Sequence, residues 1–419
     1  MRRTIGSTRR EFVGALGATL LASLDAPAPR PRVAHPFRIR AITAGVRLGS
    51  TSDLQPIASA IAFLERTQRA FTDAGYEVQT LRVALEPLAV RVSGAAGDRL
   101  LADLQALDRV ATERKVLVSV GPVLRDDHSD PQLAEWTAAL LRATENVSCS
   151  IAVASAGVAL DRAAEVAAAT IASVARATQG GEGNFRFAAA ASCPPGIPFF
   201  PVAYHEGAEA FALGLESAPL VTTAFTHAAT AAEARARLKS LLDTELGAVQ
   251  AIALAVERRE GRRYLGIDAS PAPGKDASIG AAIEALTHAP FGAASTLEAC
   301  AAATDVLKSL AVRTCGYSGL MLPVLEDPVL ARRAAERRFG VAQLLLYSSV
   351  CGTGLDVVPL PGEVPVGVLA ALIRDVAALS VKLRKPLSAR LFPIPGKAAG
   401  EAVRFTNPFL TDSVVMAVE

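Results

Sequence analysis

Apolar positions along the chain recur in two rhythms. Short runs that alternate apolar and polar, or stay apolar throughout, read as strands; longer stretches with apolar residues three and four apart read as helices. Strands are expected at 38–46, 76–83, 116–120, 149–154, 185–191, 219–223, 249–257, 262–268, 320–324, 342–350 and 387–392. Helices are expected at 54–74, 98–113, 131–143, 159–178, 207–215, 229–246, 278–286, 296–310, 329–338 and 365–383. Gly75 is a helix stop, Asp130 a helix cap and Pro365 a first-turn proline. The runs 249–257 and 262–268 form a hairpin around Arg258-Arg-Glu-Gly261. About ten strands with mostly helical crossovers, and no repeat or internal linker, predict one α/β domain over 37–419. Its sheet should be mainly parallel and barrel-like; a doubly wound open sheet is the alternative.

The first residues break this rhythm. Thr8-Arg9-Arg10-Glu11-Phe12 followed by a short apolar run and Asp25-Ala-Pro-Ala28 reads as a twin-arginine export signal over 1–28, with a Pro-rich linker over 29–36. The apolar run is too short to span a bilayer, and no other segment is long enough. The expected location is therefore periplasmic or extracellular. Residues 1–28 hold four arginines and two acids, so without them the formal charge of +2 falls to zero. A neutral chain without a basic run is a poor nucleic-acid binder. With 51% apolar and 20% charged residues, the remainder can build a large core under an ordinary polar surface. Cys149, Cys193, Cys300, Cys315 and Cys351 are scattered and odd in number, giving neither a disulfide framework nor a zinc pattern. Folding before export fits a bound cofactor, yet no nucleotide fingerprint is present.

Polar residues gather where apolar runs end. Cys351 precedes Gly352-Thr353-Gly354, whose backbone can approach a ligand or form an anion nest. The thiol is a candidate nucleophile, with His205 as its base and Glu206 or Asp356 orienting the imidazole; buried packing is the structural alternative. Tyr204 adjoins His205, and Arg390 and Lys397 flank Pro393-Ile-Pro-Gly396, where they could hold a carboxylate or phosphate. Glu326, Asp327 and Asp268, with Asp356 and His205, could hold a divalent metal, although Asp327 and Asp268 equally suit helix capping and a turn. The lone Trp136 reads as helix packing.

Five segments together resemble one family: Arg40-Ala-Ile-Thr-Ala-Gly45, Pro194-Pro-Gly-Ile-Pro-Phe-Phe-Pro-Val-Ala-Tyr-His205, Gly316-Tyr-Ser-Gly-Leu-Met-Leu-Pro-Val-Leu-Glu-Asp327, Tyr347-Ser-Ser-Val-Cys-Gly-Thr-Gly-Leu-Asp356 and Arg390-Leu-Phe-Pro-Ile-Pro-Gly-Lys397. From Phe37 to Met416 the chain is similar to domain of unknown function 711, also called uncharacterised protein family 0210. The resemblance implies the ten-stranded α/β barrel of pyruvate formate-lyase-like enzymes and no particular activity. Two features depart from it: the export signal, where members are usually cytoplasmic, and Cys193 before the paired prolines. Glycyl radical chemistry is not expected, because the tail 404–419 lacks an Arg-Val-x-Gly-Tyr glycine and Arg91-Val-Ser-Gly94 lies at the wrong end.

The sequence thus points to an enzyme acting on a small polar or anionic molecule. The alternatives are a non-catalytic ligand-binding protein on an enzyme-like barrel, or an assembly subunit whose Ala-rich helices pack in a homo-oligomer.

Overall fold

Within each strand the two faces differ in kind. Val, Ile, Leu and Phe on one face pack into the large core beneath the helices, as with Val83, Val118, Ile151 and Phe187. The other face carries small or polar residues: Thr80 and Arg82, Ser119, Ser148 and Ser150, Ala188 and Ala190, Ser388 and Arg390. A sheet with helices on its apolar face and a small polar face elsewhere curls around that polar face.

The structure, a computed structural model, describes residues 35–88, 94–274 and 276–418. The twin-arginine segment and all but the last two linker residues lie outside these. Five strands run parallel in the order β1 (Arg38–Val46), β2 (Val78–Leu85), β3 (Val116–Leu124), β4 (Val147–Ser155) and β6 (Phe187–Ala191); the two-residue β5 (Val158–Ala159) folds back on β4. The other four run the opposite way. β7 (Ala210–Glu216) lies antiparallel on β1 with β8 (Arg263–Pro271) parallel beside it. β10 (Leu387–Ile394) lies antiparallel on β6 with β9 (Gly354–Pro361) parallel beside it. The result is one ten-stranded, mostly parallel α/β sheet. Its edges, β8 and β9, both touch the segment 314–323, through parallel bridges at Ile267–Thr314 and Asp356–Pro323. That irregular segment completes the circuit. Among the described residues no helix is long and apolar enough to cross a membrane.

Several expected elements change type. Residues 249–257 belong to one helix, Ala231–Glu260, whose buried Leu242, Leu246, Val249, Ala253 and Val256 keep helical spacing. Gly261, at φ 70°, ends it, so the expected hairpin is a helix stop before a strand. Residues 207–215 give β7, in which Phe211, Leu213 and Leu215 alternate with Ala and Gly. Residues 219–223 form the helix Ala218–Thr226, entered through Pro219. The run 342–350 forms the helix Val341–Ser348, and 320–324 makes only the bridge at Pro323. Ala-rich runs carry both periods at once, so packing decided between them.

Asp327 fixes the closing segment. Its Oδ1 accepts from Ser278 Oγ (2.6 Å), Val329 N (2.9 Å) and Leu330 N (3.0 Å), and its Oδ2 from Ile279 N (2.7 Å) and Gly280 N (3.2 Å). One buried carboxylate thereby caps two helices, Ile279–Thr287 and Pro328–Ala335. Asp327→Ala should lower unfolding free energy by about 3 kcal/mol, the sum of a lost cap and buried donors left unpaired. Urea denaturation measures it, and an unchanged midpoint would contradict this role.

Candidate functional site

The proline-rich loop 193–205 enters the space that the sheet encloses. Ile197, Phe199 and Val202 pack there against Ala188, Ala190, Tyr317 and Met321, in a second core separate from the outer one. In its buried part, 197–205, Pro198 and Pro201 carry no N–H, so fewer backbone donors than carbonyls enter the interior. The inward face of the sheet supplies them. Thr43 Oγ1 donates to Pro198 O (2.9 Å) and Ser119 Oγ to Ala203 O (2.6 Å). His205 N closes the loop on Leu85 O (2.9 Å).

Beside the loop lies a cavity of about 890 Å³. Its floor is ionic. Glu326 accepts from Arg40 Nη2 (2.8 Å) and Arg390 Nη2 (2.6 Å). Arg390 Nε donates to Asp356 Oδ1 (2.5 Å), and Arg40 Nη1 to Glu216 Oε2 (2.9 Å). All five side chains are buried. Burial works against the charge on Glu326, but Arg390 and Arg40 outweigh it and hold its carboxyl below the usual range. For Asp356 burial prevails over Arg390, and its carboxyl is raised.

Arg82, on β2, lines the same cavity and differs from its neighbours. It is buried, and its guanidinium donates to Thr80 Oγ1 (3.0 Å) and weakly to Pro198 O (3.4 Å) while lying over the Phe200 ring (5.0 Å). Among the described residues no carboxylate pairs with it, and Nη2 has no hydrogen-bond acceptor. Burial, with repulsion from Arg40 adding to it, pushes its pKa down to about 9, so it stays cationic at neutral pH. Arg40, Arg82 and Arg390 face Glu326 and Asp356 in the cavity, and Glu216, bound to Arg40 from outside the cavity lining, balances the third positive charge.

Hydroxyls complete the floor. Tyr317 OH donates to Ser388 Oγ (2.9 Å), which donates to Thr353 O (3.1 Å). Thr353 Oγ1 is buried without a partner. Tyr317 is held by Asp268, which accepts from Tyr317 N (2.8 Å) and Ser318 N (2.9 Å).

The structure gathers part of the expected site and disperses the rest. Arg390, Asp356, Glu326 and Thr353 line this cavity; Cys351, His205, Glu206, Tyr204 and Lys397 do not. Cys351 is fully buried in the outer core, its carbonyl bound by Lys385 Nζ (2.6 Å). His205 packs against Gly45, where a Cβ would fall 2.2 Å from Nδ1, and burial lowers its pKa. Glu206 pairs at the surface with Arg125 (2.9 Å), and Lys397 with Glu401 (3.8 Å). Tyr204 OH donates to Cys193 O (3.1 Å) beside a smaller cavity.

The glycines serve chain crossing. A Cβ on Gly352 would lie 2.5 Å from Gly319 Cα, and one on Gly354 (φ 93°) 2.3 Å from Ser388 O. Gly352 N is already bound to Leu320 O (2.7 Å). Asp268 and Asp327 direct their oxygens at backbone N–H groups, and no trio of His, Cys, Asp or Glu converges for a metal among the described residues.

Arg40, Arg82, Tyr317 and Ser388 were not singled out from sequence. The available signal was an arginine at an alternating position inside an otherwise apolar strand, in Arg40-Ala-Ile and in Leu81-Arg-Val.

The profile described as "Uncharacterised ACR (DUF711)" matches residues 33–407. The chain belongs to this family. A relative from Desulforudis audaxviator is 30% identical over 410 residues, 88% of each chain. One from Pyrobaculum arsenaticum is 30% identical over 353 residues, covering 80% of this chain and 77% of the relative. One from Syntrophobacter fumaroxidans is 29% identical over 370 residues, covering 82% and 80%. Each bears only the name UPF0210 protein, so within the DUF711 family the site chemistry has to be read from geometry.

Two of the cavity arginines should respond oppositely to removal. Arg390→Met leaves Asp356 without its ion-pair partner and Glu326 with Arg40 alone, and should cost about 3–5 kcal/mol. Arg82→Met removes a buried cation without a carboxylate partner and should leave stability unchanged or raised. Equal losses in urea unfolding would make Arg82 a structural residue.

Proposed function

We propose that this chain is an enzyme acting on an anionic small molecule, with the anionic group held by Arg82 in the cavity. One observation carries the reading: a buried guanidinium, lining an 890 Å³ space, that among the described residues forms no ion pair with a carboxylate and feels Glu326 only as a longer-range attraction. A guanidinium has five N–H donors in a planar fork, suited to a carboxylate or phosphate. Keeping one buried and unpaired costs free energy that a ligand anion would offset.

Asp356 supports chemistry beyond binding. It lines the same cavity with one oxygen on Arg390, and its raised carboxyl can carry or release a proton. Tyr317 OH and Thr353 Oγ1 offer hydrogen bonds to a second group on the substrate. This reading keeps Asp356, Arg390, Glu326 and Thr353 from the sequence-based expectation and has no step for Cys351 or His205. In a non-catalytic ligand-binding protein Arg82 would have the same role, and Asp356 would serve only its pair with Arg390.

Sulfate, compared with chloride at equal ionic strength, should raise the thermal midpoint saturably, because a ligand that binds only the folded state stabilises it. Arg82→Met should abolish that rise. A variant that responds to sulfate like the unaltered chain would overturn the reading.

A further inference from the structure

An inorganic anion at Arg82 would leave most of this cavity empty. A volume of about 890 Å³ lies within the range that encloses a drug-sized organic molecule. The ionic floor covers only one part of it. Leu117, Phe199, Phe200 and Met321 give the cavity apolar wall, and the Arg82 guanidinium lies over the Phe200 ring, 5.0 Å from Cζ to ring centroid. An apolar body entering beside a guanidinium-bound anion would therefore meet ring and aliphatic surface first.

The far wall is also aromatic. Phe185 and Phe409 lie with nearly parallel rings, 4° apart and with centroids at 6.2 Å. Arg390 sits over Phe185 (5.3 Å) and Arg40 over Phe409 (5.7 Å), so the aromatic pair adjoins the ionic floor. Phe409 is 44% exposed. The chain segment carrying it is tied down through Glu182, which accepts from Thr406 N (2.7 Å), Thr406 Oγ1 (2.9 Å) and Asn407 N (3.1 Å). A large side chain left partly in water at a cavity wall gains apolar burial when a ligand covers it.

We infer that the ligand is an amphipathic organic anion: a carboxylate or phosphate held by Arg82, joined to an apolar, ring-containing or branched body that fills the space between Phe200, Met321 and the Phe185–Phe409 pair. This rests on the anion reading above and narrows it to a class of molecule. Acetate and sulfate satisfy Arg82 but leave the walls wet. A neutral aromatic alcohol covers the walls but leaves Arg82 unpaired.

Isothermal titration on the unaltered chain with acetate, sulfate, 2-naphthoate, decanoate and 2-naphthylmethanol separates the possibilities. Naphthoate or decanoate should bind at least about tenfold more tightly than acetate, as burial of a few methylene equivalents requires. Naphthylmethanol should bind weakly, and Arg82→Met should reduce the naphthoate affinity to that level. Phe200→Leu should weaken naphthoate by a larger factor than it weakens sulfate. If acetate and sulfate bind through Arg82 as tightly as naphthoate and decanoate, the amphipathic class is wrong and the anion reading stands. If no anion binds in an Arg82-dependent way, both fall. The ligand series needs no variant to fold, so it decides the first question alone.

Discussion

Glu326 joins parts of the molecule that the backbone does not. Its two oxygens take guanidinium N–H groups from Arg40 on β1 and Arg390 on β10, strands separated in the sheet by β2, β3, β4 and β6. The carboxylate itself arrives on the irregular segment that spans the two sheet edges. One buried charge thus ties the interior of the sheet across its width, and the next residue, Asp327, caps the two helices that hold the segment in place. Such an arrangement is stable only if every member finds a partner, because an uncompensated charge in a dry interior costs several kcal/mol. Arg40, Arg390, Glu326, Asp356 and Glu216 meet that condition, and Arg82 does not. The contrast within one cavity is the reason to assign Arg82 to a ligand.

The proline-rich loop obeys the same accounting. An ordinary loop inserted into a closed sheet would bring one donor and one acceptor per residue. The buried Pro198 and Pro201 delete donors, and the hydroxyls of Thr43 and Ser119 serve the carbonyls of Pro198 and Ala203. The small inward residues Ala188 and Ala190 leave the width that the loop and cavity share. Composition of the inner face, loop chemistry and cavity size are therefore one constraint expressed three times.

Much of this fold was legible in the chain. The alternation of β1, the Gly75 stop and the Asp130 cap, which accepts from Gln132 N and Leu133 N, gave the first half of the sheet nearly in register. Legibility failed in Ala- and Val-rich runs such as 249–257, where side-chain pattern alone cannot choose between a strand and the last turns of a long helix. The site was half visible. Asp356 and Glu326 stood out because they lie where apolar runs open into loops, and Arg390 because it flanks a proline-rich loop. Arg82 sits in the middle of one, and a lone arginine there reads as a residue on a solvated face until the sheet is known to enclose a polar interior. Cys351 and the adjacent glycines lie away from this cavity for a related reason. Small residues mark close backbone approach, and here the approaching partners are Gly319 and Ser388.

The most direct test of the account is to locate an anion. A crystal of the chain grown or soaked with selenate, examined by anomalous scattering at the selenium edge, should show a peak within hydrogen-bonding distance of Arg82 Nη2 in the cavity. Selenate bound only at surface arginines, with the cavity beside Arg82 free of anomalous signal, would contradict it.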